Sequence, residues 1–550
     1  MQLTNKPCIC LIEDTATSKL CYLSWYASLR FASIRPQHII YFSSPGYVYP
    51  HCINSALSVE PKNLPLCDDM RYDPSAIAEL NNSLLIINYD QIRISAMAVS
   101  LEIFNNYTET NPDSIFSLAY KKSNIGVHIA SHLLRFYPAL IENFSPESKL
   151  VKSLIYQVCC QLLLIERLSE DFTITLALFS ESTYLCGALV EFLANIKSKV
   201  SYPNFQSPVQ ISGITKDNCV GKSLLNLAYE NQYNHCLHQI DKYKSIISYG
   251  RMLLDKRIED VKFLNAGASP HYQAVLLKIL NENGLGPSIN NRAQIEVIDS
   301  VPIPKFIFYL HCFADGPFLE GYSGFSSSFQ YFLFVLNLLG KCMGNSAFKV
   351  LVKPHPNLML GFKSELPCDI EKTNSDLVFT MRLLRRLISS HQHVQIVNPF
   401  LQNSLLLNMA NTTHVTSHGS IGLEALYIGS PLICTCTAPY SNIGLGEKTL
   451  TPADSKLPVG FPGSSCEIES NILTMQERCS LFAGLGNYLN TISLNELASK
   501  FTGIAPERLI HNCLQDLNFL PKILSQKEML LIEKGAEIIT KRLESFTKIL

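Results

Sequence analysis

Two segments of the chain combine residue types that can bind an anion. The first is the tetrapeptide 353–356, KPHP, which follows the apolar stretch 349–352. Such a stretch predicts a strand that delivers Lys353 and His355 to the carboxyl end of a sheet, where open α/β sheets bind ligands. A proline on either side of His355 restricts the backbone, so the imidazole has few orientations. A restrained histidine beside a lysine suits a phosphate group, although a surface loop without function can have the same composition.

The second segment is 415–433, VTSHGSIGLEALYIGSPLI. Its pattern predicts a strand, a turn of small residues and then a helix, whose N-terminal N–H groups and dipole favour an anion. We expect Ser417 and Ser420 to add hydroxyl donors and Gly419 to permit a close backbone approach. One turn into the helix, Glu424 can accept hydrogen bonds from a ribose. Two simpler interpretations stay open, in which Ser420 only caps the helix and Glu424 is a solvated acid.

The elements around these segments indicate an α/β fold with two domains and a helical tail. Short apolar runs that end in polar residues predict buried parallel strands. In the first half they lie at 8–12, 38–42, 84–88, 172–179 and 209–214, and in the second half at 305–312, 349–352, 394–397, 414–416 and 431–436. Because residues 284–304 are rich in Gly, Pro and Asn, we predict domains at 1–295 and 296–475, followed by a helical tail at 476–550 that packs back on them.

Composition narrows the class of function. The chain has 550 residues, of which 45 are Lys or Arg and 46 are Asp or Glu, with no block of like charge, so nucleic-acid binding is not expected. The 18 cysteines are scattered and form no CxxC, which favours buried free thiols in a reducing compartment. The N-terminus lacks the pattern of a signal peptide, and we therefore expect a cytoplasmic protein.

The two anion-binding segments resemble a known family. K-P-H-P followed by S-x-G-[ST]-x-G-x-E-A-L-x-x-G-x-P is similar to the donor domain of bacterial surface-polysaccharide glycosyltransferases, namely the capsule-type Kdo transferases and the sialyl- and polysialyltransferases. The resemblance covers about residues 305–436. It implies the GT-B fold, in which two Rossmann-like domains face each other across a cleft. It also implies a CMP-activated sugar as donor and an oligosaccharide or lipid-linked glycan as acceptor.

The resemblance assigns roles to residues of this chain. His355 would contact the phosphate of the CMP-sugar and help the leaving group depart, with Lys353 beside it. Ser417, Gly419 and Ser420 would hold the same phosphate, and Glu424 would bind the ribose or base side. Relatives often have Ser-Ser or Ser-Thr where this chain has Ser417 followed by histidine.

The acceptor hydroxyl needs a base, or the sugar needs a carboxylate nucleophile if configuration is retained. Relatives use an acidic D/E-D-G motif in the N-terminal half. Asp14 follows a predicted strand but lacks the glycine, whereas Asp315 has the Asp-Gly dipeptide but lies in the donor domain; both stay candidates. His311, beside the second loop, is interpreted as a strand residue.

Cofactors and alternatives complete the predictions. No D-x-D motif occurs, and His, Ser and a helix terminus can neutralise a leaving phosphate, so we expect no metal. The amphipathic stretch 525–550 suits either a packed helix or peripheral contact with the inner face of the cytoplasmic membrane. Two other functions remain open: a UDP-sugar transferase or 2-epimerase on the same fold, and an inactive GT-B scaffold that binds a glycan or a partner enzyme.

Overall fold

The structure is a computed structural model that divides the chain into two compact units. It describes residues 8–14, 38–43, 84–87, 92–178, 184–196, 200–201, 220–238, 241, 244–259, 270–313, 317–344, 346–356, 358, 375–390, 394–441, 443–457 and 473–488. The second unit consists of Pro138–Phe144 and Val220–Leu489, and the other described residues belong to the first unit.

The first unit contains a five-stranded parallel sheet. Its strands are β1 (Cys8–Asp14), β2 (His38–Ser43), β3 (Leu84–Ile87), β4 (Thr173–Leu178) and β5 (Val200–Ser201). They lie in the order β3-β2-β1-β4-β5, which is the order of a doubly wound nucleotide-binding sheet. The order reverses between β1 and β4, so ligands of such a sheet are expected at the carboxyl ends of these two strands.

Four α-helices accompany this sheet in the described part of the unit. They are α1 (Arg93–Phe104), α2 (Ile125–Phe136), α3 (Ser148–Asp171) and α4 (Tyr184–Asn195). Helix α3 is long and apolar enough to cross a membrane by length and composition, but 56% of its most apolar stretch is buried inside the protein. A buried face of this extent is typical of a core helix.

The second unit contains a six-stranded parallel sheet and a short antiparallel pair. The strands are β6 (Gly221–Lys222), β7 (Lys305–Tyr309), β8 (Gly321–Tyr322), β9 (Lys349–Lys353), β10 (Val394–Ile396), β11 (Thr412–Val415), β12 (Leu432–Thr435) and β13 (Lys448–Leu450). The large sheet has the order β10-β9-β7-β11-β12-β13, whereas β6 pairs only with β8. Every residue of β7 is buried, as expected for a central parallel strand covered on both faces.

Helices surround this second sheet. They are α5 (Leu224–Leu237), α6 (Lys244–Glu259), α7 (Pro270–Glu282), α8 (Arg292–Asp299), α9 (Ser328–Met343), α10 (Ser375–Ser390), α11 (Asn403–Leu407), α12 (Ile421–Tyr427) and α13 (Met475–Tyr488). Helices α6 and α13 approach each other through glycines. A Cβ on Gly250 would lie 1.8 Å from the carbonyl oxygen of Ser480, and one on Gly484 would lie 2.3 Å from that of Ile246. This contact fixes α6, which carries a residue of the functional site.

The α/β class predicted from the sequence is confirmed, and both sheets have the Rossmann-like strand order. The division between the units differs from the predicted one. It falls between Cys219 and Val220 rather than at 295/296, because α5 and α6 share a hydrophobic core with α12 and α13. The predicted strand at 209–214 and residues 489–550, most of the predicted tail, lie outside the described residues.

Candidate active site

A cleft opens at the carboxyl ends of three neighbouring strands, β9, β7 and β11. The strand order reverses between β7 and β11, so the cleft lies where doubly wound sheets bind nucleotides. Its volume is about 130 Å³, which admits a group of about the size of a small ring or a phosphate. Its lining consists of Tyr309, Leu310, His311, Lys353, Pro354, His355, Pro356, Pro399, Leu401, Gln402, Asn403, Gly419, Ser420, Ile421 and Glu424.

The loop after β9 holds His355 in the cleft. Its Nδ1 lies 3.5 Å from the Sγ of Cys312. The hydroxyl of Tyr272 donates a hydrogen bond to the carbonyl oxygen of Pro356, at 2.9 Å. These contacts tie the loop to its neighbours on both sides of the imidazole.

Three imidazoles form a column beside this loop. The ring of His311 stacks on that of His418 with centroids 4.5 Å apart, and its other neighbour is His355 at 6.3 Å. The Nε2 of His311 also lies 3.0 Å from the Oγ1 of Thr416. Burial lowers the pKa of His311 well below its usual value, with smaller contributions from the other two histidines, and burial lowers the pKa of His418 to about 4. Both rings are therefore neutral near pH 7.

Glycine in the turn after β11 makes room for protein side chains. A Cβ on Gly419 would lie 2.4 Å from the Cε1 and Nε2 atoms of His311, and one on Gly422 would lie 2.1 Å from the hydroxyl of Tyr440. That hydroxyl donates to the carbonyl oxygen of Gly419, at 2.8 Å. The close approach predicted at Gly419 is thus made by the protein's own rings, which fix the shape of the turn.

A buried group of charges lies beside the same turn. Glu424 is only 1% exposed, and its Oε1 lies 3.2 Å from the Nε of Arg257 on α6. Burial raises the pKa of Glu424, whereas Arg257, Asn403 and Lys353 oppose this rise. The interpretation of Glu424 as a solvated acid is therefore wrong, since the carboxylate is enclosed and faces two cations.

Lys353 is directed toward this group. Its Nζ donates to the carbonyl oxygen of Leu401, at 2.7 Å, and to the Oδ1 of Asn403. Burial lowers the pKa of Lys353 to about 7, although the nearby Glu424 opposes the shift. Because this pKa is close to neutral, Lys353 can gain or lose its positive charge near pH 7 within the wall of the cleft.

The two serines of the turn differ in position. Ser420 lines the cleft, and its Oγ accepts a hydrogen bond from the Nη2 of Arg257. Its side chain makes no capping hydrogen bond to α12, so the simpler interpretation of Ser420 as a helix cap fails. Ser417 is buried, does not line this cleft, and its Oγ has no hydrogen-bond partner among the described residues.

The predicted site residues are thus partly brought together. Lys353, His355, Gly419, Ser420 and Glu424 line one cleft. Asp14 is the last residue of β1 in the first unit, as predicted for a strand-end acid. Asp315 lies outside the described residues. The roles of the two acids stay predictions.

Comparisons with known proteins give remote structural likenesses. The chain matches no protein-family model and no curated protein. A glycosyltransferase from Rickettsia africae ESF-5 is 12% identical, with 98% of this chain and 99% of that one covered, at a TM-score of 0.25. The beta Kdo 2,4 transferase KpsC of Thermosulfurimonas dismutans is 14% identical over 57% of this chain and 80% of its own, at 0.24. A UDP-GlcNAc 2-epimerase of Methanocaldococcus jannaschii is 11% identical over 78% and 83%, at 0.19. These values are low, so the functional proposal rests on the cleft itself.

Three residues of the site were missed by sequence reasoning. Arg257 comes from α6, far from both motifs along the chain, and nothing in its helical pattern marks it. Asn403 opens α11 and accepts from Lys353. His311 was assigned to a strand, but β7 ends at Tyr309 and leaves His311 in the cleft. The position of His311 next to a polar loop was the available signal.

Among the described residues, no group of three or more His, Cys, Asp or Glu has an arrangement that could hold a metal ion. The described site offers hydrogen-bond donors, two cations and one enclosed carboxylate. Such a set can bind a phosphate and a polyol side by side.

Proposed function

We propose that the chain is a glycosyltransferase that moves Kdo or a sialic acid from a CMP-activated donor to a surface-glycan acceptor. One observation carries the proposal: His355, Ser420 and Glu424, taken from two separate motifs, line a single cleft at the switch point of a doubly wound sheet. The order of the two motifs along the chain supports the same family.

The donor's phosphate would lie between His355 and the turn at Gly419 and Ser420. Glu424 would accept hydrogen bonds from the ribose, and Arg257 and Lys353 oppose the rise that burial causes in the pKa of this carboxyl group. The phosphate and the ribose then lie side by side in one cleft. This arrangement orients the bond that joins the sugar to the phosphate.

In the transfer step the bond between the anomeric carbon and the phosphate oxygen breaks, and its electron pair leaves with CMP. A hydrogen bond from His355 and the charge of Lys353 stabilise the departing phosphate without a metal ion. The acceptor hydroxyl forms the new bond and gives its proton to a carboxylate, for which Asp14 and Asp315 are the candidates.

The acceptor in this proposal is an oligosaccharide or a lipid-linked glycan. In this proposal the enzyme acts in the cytoplasm, either free or peripherally bound at the inner face of the membrane. No nucleic-acid partner is part of the proposal.

Calorimetry of nucleotide binding tests the proposal. CMP, CDP, UMP and UDP are titrated into the wild type, His355→Ala and, as a matched control, His271→Ala, whose residue is exposed on α7 outside the cleft. We expect CMP to bind best without added metal, and the loss of a hydrogen bond to a charged phosphate to weaken binding about 10- to 100-fold in His355→Ala alone. A preference for UDP would instead favour the UDP-sugar transferase or epimerase. Absence of binding to all four nucleotides would favour the scaffold.

A further inference from the structure

We propose that His311 and Cys312 are positioning residues that together set the orientation of His355. The proposal rests on the proposed function insofar as His355 contacts the donor phosphate. Both residues follow β7, the strand beside the one that delivers His355. Two successive residues of one loop therefore contact the same imidazole on the next loop.

Cys312 fixes one atom of the His355 ring. Its Sγ lies 3.5 Å from Nδ1, within the distance of a hydrogen bond that involves sulfur. A contact at Nδ1 restricts rotation of the ring about its bond to Cβ. The edge of the ring that carries Nε2 lies opposite to this contact.

His311 restricts the ring in a second direction. Its centroid is 6.3 Å from that of His355, and the two planes differ by 28°, an offset arrangement in the range of aromatic pairs. A ring can hold another in place only if it is itself fixed. His311 satisfies this condition because it stacks on His418, contacts the hydroxyl of Thr416 and lies against Gly419.

The neutral state of His311 fits this role. Burial and the two neighbouring histidines lower the pKa of His311 well below its usual value, so this ring brings no positive charge beside His355. The Oγ1 of Thr416 accepts from the N–H of Gly419, at 3.3 Å, and can give its own proton to the Nε2 of His311. The turn after β11 thereby fixes the ring of His311, and this ring in turn restricts His355.

The test measures the reactivity of His355 without any nucleotide. Carbethoxylation by diethyl pyrocarbonate is followed residue by residue with peptide mass spectrometry in the wild type, His311→Ala, His311→Phe and Cys312→Val. His414, which is fully buried in β11, reports on opening of the fold, and exposed His271 reports on reagent activity. We expect the rate at His355 to rise about 2- to 10-fold in His311→Ala, and to stay within about twofold in His311→Phe, which keeps a planar ring in place.

The outcomes decide the proposal. An unchanged rate at His355 in His311→Ala, with His414 unreactive, overturns it. If His414 becomes reactive in His311→Ala, the fold has opened and Cys312→Val, which removes only the sulfur contact, is used instead. A higher rate of carbethoxylation at His355 in Cys312→Val supports the proposal, and an unchanged rate overturns it. If the rate at His355 rises as much in His311→Phe as in His311→Ala, the proposal is also overturned, because stacking of the ring at position 311 would then not be what restrains His355.

A second readout separates positioning from a purely structural role. Release of CMP from a CMP-sugar should show kcat about tenfold lower in His311→Ala with KM changed less than about threefold, and His311→Phe should restore kcat. A change confined to KM would overturn the proposal. If the wild type releases no CMP, the proposed function fails, and the reactivity of His355 still decides the positioning role.

Discussion

Replacing Arg257 with methionine should destabilise the second unit, and the loss should grow as pH rises. The substitution keeps an unbranched apolar stem but removes the cation that lies 3.2 Å from the enclosed carboxylate of Glu424. At that distance, with an effective dielectric constant of about 20, the attraction is about 5 kcal/mol. Arg257 is 25% exposed and Lys353 remains nearby, so we expect a net loss of about 2–4 kcal/mol near pH 8.

The dependence on pH follows from the direction of the pKa shift. Burial already raises the pKa of Glu424, and removal of Arg257 raises it further. An acid whose folded pKa is raised contributes stability that is present below its unfolded pKa and lost as pH rises through the folded pKa. The destabilisation of the variant relative to the wild type should therefore be smaller near pH 5 than near pH 8.

Urea unfolding followed by circular dichroism at the two pH values measures this difference. The double-mutant cycle with Glu424→Gln provides the internal control, because Arg257→Met should cost less than about 1 kcal/mol once the carboxylate is absent. Arg292→Met removes an exposed i,i+4 partner of Glu296 on α8 and should change stability by no more than about 0.5 kcal/mol at either pH. Equal losses for Arg257→Met at both pH values, or no coupling to Glu424→Gln, would refute the reasoning.

Three further substitutions test the walls of the cleft. Gly419→Ala places a Cβ 2.4 Å from the ring of His311, so thermal unfolding should show a loss of about 1–3 kcal/mol; an unchanged midpoint would contradict the steric argument. Ser420→Ala should weaken CMP binding in calorimetry about 3- to 10-fold, whereas Ser417→Ala, outside the lining, should leave it within about twofold, and the reverse order would show that Ser417 holds the phosphate. Since the pKa of Lys353 is about 7, CMP affinity should rise as pH falls from about 8.5 to about 7 in the wild type and stay flat in Lys353→Met; a parallel rise in both would assign the proton elsewhere.

The strands of both sheets could be predicted because buried parallel strands leave a direct signal. An uninterrupted apolar run such as that of β7 or β9 needs both faces covered, and polar residues at its end mark the edge where ligands bind. Strands β5 (Val200–Ser201) and β13 (Lys448–Leu450) were missed, since two or three residues are too few to show a pattern. Five lining residues of the two motifs could be predicted because they follow strands that leave this signal, namely Lys353, His355, Gly419, Ser420 and Glu424.

The rest of the site depends on packing that no local pattern contains. The apolar face of α6 would suit either sheet, and its packing against α13 through Gly250 and Gly484, with the core that it shares with α12, places it in the second unit. That contact also brings Arg257 to Glu424. In the same way, the column of imidazoles exists because β7 ends two residues before His311, and the end of an apolar run cannot be located to one residue from the sequence.

The position of β7 at the centre of its sheet has a consequence for synthesis of the protein. Its neighbour β11 pairs Thr412 with Lys305, so about a hundred residues must leave the ribosome after β7 before this pair can form. At roughly 5–20 residues per second the delay is about 5–20 s. The loop with His355 is made about halfway through this delay, whereas the turn that completes the cleft is made only after it. A ligand of this cleft can therefore stabilise the nascent chain only in the last stage of its folding, and substitutions that slow the β7–β11 pairing should lower the yield of protein even where the finished fold tolerates them.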